Sequence, residues 1–166
     1  MATWNSLRQS DNLPFSSYAS FLTRYRGWPG EKALRRTAER AIDPNSTRPG
    51  DVTAYFRLQP ALSTTGHARH AFALLAEGNV AQAQEAARKA WHGGVLPRDD
   101  EDRLLATFGS MLTPQDHDQR METLSPMARE RAVVIQPKLP GQPILVRGDR
   151  DELLRVAENL IENAVK

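Results

Sequence analysis

The sequence predicts a mainly α protein: an α-superhelix or solenoid-like array of helical hairpins, followed by a short β-β-α fragment. Three observations carry this. Apolar residues recur at helical spacing in one short stretch after another through the first two thirds of the chain. Glycine- and proline-rich turns separate those stretches. Only one region, Ala132 to Val146, holds short β-branched runs.

The elements follow in order. Tyr18, Phe21, Leu22 and Tyr25 form a first helical stripe, which Gly27-Trp28-Pro29-Gly30 breaks. Leu34, Thr37, Ala38, Ala41 and Ile42 form a second, with arginines opposite and Asp43-Pro44 as the stop, because a residue before proline is pushed out of the α region. Pro49-Gly50-Asp51 opens a third helix, carrying Val52, Tyr55 and Phe56. A fourth runs from His67 to Glu77, with Ala68, Ala71, Phe72 and Leu75 on one face. After the turn Gly78-Asn79, Val80 to Trp91 is a fifth, with Ala83, Ala87, Ala90 and Trp91 inward, stopped by His92-Gly93-Gly94. Asp99 to Leu112 is a sixth, aligning Leu104, Leu105, Phe108, Met111 and Leu112. Thr113 caps a seventh and Pro114 takes its first position. Leu124 to Arg131 reads as the end of a helix.

The remainder changes character. All eleven aromatic residues lie at or before Phe108, and four of the eleven prolines fall between Pro126 and Pro143. The expected division is therefore a helical segment over 1–124 and a second segment over 125–166, joined near Leu124-Ser125-Pro126. In the second, Ala132 to Gln136 and Ile144 to Val146 are strand candidates around a proline-rich loop. Asp149 caps a last helix, with Glu152 three residues on. Its expected buried stripe is Leu153, Leu154, Ala157, Leu160, Ile161, Ala164 and Val165, leaving Glu152, Arg155, Asn159, Glu162, Asn163 and Lys166 outside.

Composition narrows the function. There is no cysteine, which excludes disulfide scaffolds, thiolate metal sites and cysteine nucleophiles. A mean hydropathy of -0.55 and the lack of long apolar runs predict no membrane span. The polar start shows no signal-peptide core, so the default expectation is cytoplasmic. A formal net charge of +2 makes no case for a nucleic-acid partner.

Several polar groups invite a chemical reading. His67 and His70, at i and i+3, can share a metal, but no third ligand is evident and packing histidines are expected. Asp99 to Asp102, with Asp116 and Asp118, read as solvated helix starts that favour the N-terminal dipole, rather than a cation site. Glu77 or Glu101 as a glycosidase acid needs a second group and a cleft. Trp28 and Trp91 can stack on sugars or pack helix ends. No catalytic residue is assigned.

Two resemblances add to this reading. Leu13-Pro14-Phe15-Ser16-Ser17-Tyr18, Gly27-Trp28-Pro29-Gly30, Ala90-Trp91, Asp100 through Gly109 and Leu112-Thr113-Pro114-Gln115-Asp116-His117 resemble the helical superhelix of bacterial soluble lytic murein transglycosylases. Within it, Ala68 to Trp91 resembles one tetratricopeptide-like hairpin. That resemblance covers roughly residues 4–124 and implies a non-catalytic part of a periplasmic, peptidoglycan-cleaving enzyme, with protein or peptidoglycan contacts through its helical surface. The run from Val146 to Lys166 resembles the N-box helix of sensor histidine kinases. It implies Mg-ATP chemistry, with Asn163 as the Mg²⁺-binding asparagine, Asn159 its partner one turn earlier and Lys166 facing the phosphates. The sequence ends at Lys166, before the glycine-rich boxes of that fold. The expectation is thus an incomplete ATP site, no cofactor held by this chain, and neither ATP hydrolysis nor peptidoglycan cleavage. Two families of different compartments in one chain point to a truncated or joined reading frame.

Overall fold

In the computed structural model, residues 6–7, 13–130 and 149–165 are described. The chain is mainly α, and no strand occurs among the described residues. From Phe15 onward, the helices among the described residues are α1 (Phe15–Arg24), α2 (Glu31–Ala41), α3 (Pro49–Leu58), α4 (Thr64–Ala76), α5 (Val80–His92), α6 (Arg98–Phe108), α7 (Pro114–Glu130) and α8 (Arg150–Val165), with a 3-10 turn at Gly109–Met111. The strand candidates at 132–136 and 144–146 lie outside the described residues.

Local signals explain most boundaries. Asp116 and Thr113 form a reciprocal cap on α7: the Thr113 N–H donates to the Asp116 carboxylate at 2.7 Å, and the Asp116 N–H donates to the Thr113 hydroxyl at 3.3 Å. Asp149 caps α8 through the Asp151 N–H at 2.8 Å. Gly30, at φ +82°, lets the chain turn directly into α2.

α4 starts at Thr64, three residues before the expected His67. Ser63 is its true cap and accepts from the Gly66 N–H at 3.0 Å. A Cβ on Gly66 would meet the Glu39 carboxylate at 2.6 Å. Glycine is present because that buried carboxylate needs the space. α6 also differs from expectation: it tightens into the 3-10 turn after Phe108, where Gly109 and Ser110 offer weak helix propensity.

Helices pack on their immediate and next neighbours. α1 meets α2 and α3, α2 and α3 meet α4, α4 meets α5 and α6, and α5 meets α6 and α7. Among the described residues this arrangement produces two apolar cores. Phe15, Tyr18, Leu22, Leu34, Ile42 and Val52 belong to the first. The second joins the alanine-rich faces of α4 and α5 to Trp91, Leu104, Phe108 and Leu112. Tyr25 does not join its stripe: it follows the last residue of α1 and is 41% exposed.

α7 runs unbroken through Pro126, so the expected joint at Leu124-Ser125-Pro126 falls inside one helix. α8 then lies against α7. The predicted buried stripe of α8 is corrected. Leu153, Ala157 and Leu160 are exposed, whereas Glu158 is fully buried. Leu154, Glu158 and Ile161, also at helical spacing, are the inward side of α8, and the physical reason is that Glu158 finds a buried partner on α7. The side chains of Ala164 and Val165 lie outside the described set.

Candidate functional site

The sequence-predicted site is on α8. Asn159 and Asn163 are one turn apart on the exposed side of the helix, and Lys166 lies outside the described residues. The buried face of α8 is anchored by Glu158, whose carboxylate is 3.2 Å from His117 Nδ1. Arg155 adds an exposed contact to Asp102 at 3.8 Å. Asn159 and Asn163 present two amide oxygens on this outer face. No group of three His, Asp or Glu side chains suited to a metal occurs among the described residues.

The acidic candidates have other work. Asp100 and Glu101 were expected as solvated helix-start charges, but both are buried. Asp100 pairs with Arg69 at 3.3 Å, and Arg69 also donates to the carbonyls of Arg40 and Ile42 that end α2. Glu101 accepts from Arg120 at 3.1 Å, with Arg120 itself fully buried. A carboxylate held this way by a guanidinium is no free glycosidase acid. Arg120 further donates to the carbonyls of Trp91 and Gly94 at 3.3 and 2.8 Å, and its guanidinium lies 4.0 Å from the Trp91 ring centre. Trp91 is therefore a core residue and not a sugar platform.

Asp116, also buried, has His92 Nε2 at 2.7 Å. Burial pulls its carboxyl upward, but the Thr113 N–H and hydroxyl, together with His92, outweigh burial and hold it below the usual carboxylate range. His67 and His70 are packing histidines. The His70 ring lies 4.6 Å from that of Phe56, and burial first, then His67 and Lys89, pushes His70 down to about 4. It is neutral near pH 7.

One surface stands out in chemistry. At the end of α1 and in the following turn, Phe21, Tyr25 and Trp28 form an aromatic ledge. Phe21 and Tyr25 are 4.9 Å apart between ring centres, and Trp28 is 6.5 and 6.3 Å from them. Tyr25 and Trp28 are 41% and 45% exposed. Glu31 accepts from the Gly27 N–H and fixes the turn that presents Trp28. Sequence reading named Trp28 as a sugar-stacking candidate; it assigned Phe21 and Tyr25 to the helix stripe. The missed signal was that Tyr25 stands beside the Gly27 break and not within the helix.

Compared with known proteins, the chain matches no family model, no curated protein and no solved structure.

Proposed function

We propose that residues 1–124 are a non-catalytic helical superhelix of the kind found in peptidoglycan lytic transglycosylases, and that the segment 125–166, which begins within α7, is an ATP-binding fragment of β-β-α form. The single observation that carries the first part is the exposed ledge of Tyr25 and Trp28. Aromatic faces suit the C–H-rich faces of sugar rings, as a flat apolar surface beside polar groups. The helix-to-next-helix contact pattern supports a superhelix, since solenoids are built from neighbour contacts. The protein binds glycan and does not cut it: Glu101, the buried candidate acid, is engaged by Arg120.

The test is co-sedimentation with insoluble peptidoglycan sacculi. The parent chain is expected in the pellet, releasing no soluble fragments. Trp28→Ala and Tyr25→Ala together are expected to weaken retention about tenfold, consistent with roughly 0.5–1.5 kcal/mol per aromatic contact. Equal retention of parent and variant defeats the glycan reading.

A second reading, a histidine-kinase fragment that contacts Mg-ATP, is favoured by one observation: Asn159 and Asn163 share the exposed side of α8. Calorimetric titration with Mg-ATP tests it. The expected result is no micromolar binding, because two amides provide too few ligands for magnesium and nucleotide. Micromolar binding abolished by Asn163→Ala establishes the kinase reading instead.

A further inference from the structure

The aromatic ledge is set among cations. The Arg24 guanidinium lies over the Tyr25 ring, 5.7 Å from its centre. Arg24 follows Phe21 by three residues, which puts both on the side of α1 that carries the ledge. Arg26, between Tyr25 and the Gly27 turn, and Lys32, in the first turn of α2, are exposed, as Arg24 is. None of the three makes an ion pair among the described residues. The nearby acid is engaged: Glu31 accepts from the Gly27 N–H and lies 4.0 Å from Arg35. Residues 24–36 hold five basic side chains and one acidic, while the whole chain has a net charge of only +2. The positive charge of the chain is therefore concentrated around the ledge, and it favours an anionic occupant.

The rings themselves narrow the choice. Trp28 is inclined 78° to Phe21 and 71° to Tyr25. Faces at these angles make a corner. A run of flat bases stacks on successive aromatic faces, and a corner does not continue such a stack. A lipid surface takes up an apolar helix face, but the solvent side of α1 is a row of hydroxyls, Ser16, Ser20 and Thr23. A puckered sugar ring, with C–H groups on its face and rim, meets two inclined apolar walls.

We propose that the ledge selects glycans whose sugar rings carry a carboxylate. This rests on the glycan reading above and names the class of glycan. Arg24 covers part of the Tyr25 face, so the sugar face rests on Trp28, with Tyr25 as the side wall and the guanidinium at the rim. The planar fork of arginine matches a carboxylate, and a guanidinium stacked on a ring is weakly hydrated and ready to pair. A uronic acid and a muramic acid freed of its peptide share this chemistry, a pyranose with a carboxylate close to the ring.

The test titrates the full chain by calorimetry at low salt with trigalacturonic acid and with its methyl ester, which keeps the rings and removes the charge. The acid is expected to bind about fivefold more tightly, the size of a good exposed charge pair. Arg24→Gln is expected to bring the acid down to the level of the ester, and Trp28→Ala to weaken both. Arg24 is exposed, so a variant that melts with the parent has lost recognition and not folding. Sacculi stripped of stem peptides by an amidase, which bares the muramyl carboxylate, test the second source. Arg24-dependent retention there supports the muramyl ring, and a preference confined to the uronate supports the other. Equal binding of acid and ester, or a preference that survives Arg24→Gln, overturns the proposal. So does tighter binding of a deoxythymidine hexamer, or of equimolar phosphatidylcholine and phosphatidylserine vesicles, than of the uronate. Where sacculus retention still depends on Trp28 and Tyr25, those results defeat this inference alone. An acid preference that Trp28→Ala and Tyr25→Ala leave unchanged defeats the glycan reading and this inference with it.

Discussion

Trp91→Ala is expected to lower the unfolding free energy by about 3–5 kcal/mol, the range for removing a large buried aromatic side chain. Trp91 is fully buried at the end of α5. The helices around it meet through Ala68, Ala71, Ala83, Ala87 and Ala90, all fully buried. Small faces allow close approach, but they cannot fill the space where α5, α6 and α7 diverge, and the indole fills it. The loss extends beyond area. Arg120 lies over the ring face and His117 meets the ring edge-on at 5.4 Å between centres, so alanine also removes a cation–π partner. Trp91→Phe separates these effects. The indole N–H is buried with no hydrogen-bond partner among the described residues, so phenylalanine discards that donor while retaining part of the volume, and it should cost less than alanine. Urea denaturation of the three proteins provides the measurement. An alanine variant within about 0.5 kcal/mol of the parent, the range of an ordinary surface change, means that the ring is not in the core.

Trp91 also shows what the sequence made legible. An alanine-rich helix ending in tryptophan before two glycines announces a tight hairpin, a plug and a stop, all of them local. The same holds for Pro49, Thr113 and Asp149, whose partners lie within a few residues. Glu39, Asp100, Glu101 and Glu158 were not legible. Their partners are 23, 31, 19 and 41 residues away, and an acid in the first turn of a helix looks alike in sequence whether it faces water or a distant arginine. Glu158 illustrates the consequence. A 3.6-residue period draws a stripe through Leu153, Ala157 and Leu160, but it equally relates Leu154, Glu158 and Ile161, and only His117 decides between them. A signal was present in α7, where His117 and Arg120 occur three residues apart and bring two polar side chains to one buried face. The aromatic ledge was half legible, because Trp28 stands in an evident turn.

Arg120→Met carries the other large expected effect, a loss of about 3–5 kcal/mol, as for removing one partner from a buried ion pair. The stem of methionine keeps much of the arginine volume, so the change is chiefly electrical. Arg120 is fully buried and Glu101 is 4% exposed. Without the guanidinium, Glu101 loses a charge partner 3.1 Å away, and the Trp91 and Gly94 carbonyls lose a shared donor where α5 ends. Those carbonyls belong to the end of a helix, where backbone acceptors outnumber donors. The double substitution Arg120→Met with Glu101→Leu is expected to recover part of the loss, since a buried pair replaced by apolar groups of similar volume is often neutral or better. Recovery should remain incomplete because the two carbonyls stay unpaired. Chemical denaturation of the parent, both single variants and the double variant closes the cycle and isolates the pair. Additive losses would show that Arg120 acts through Trp91 and the carbonyls alone. A strongly non-additive recovery assigns the larger share to Glu101, and with it the stability of the joint between α6 and α7 on which α8 rests.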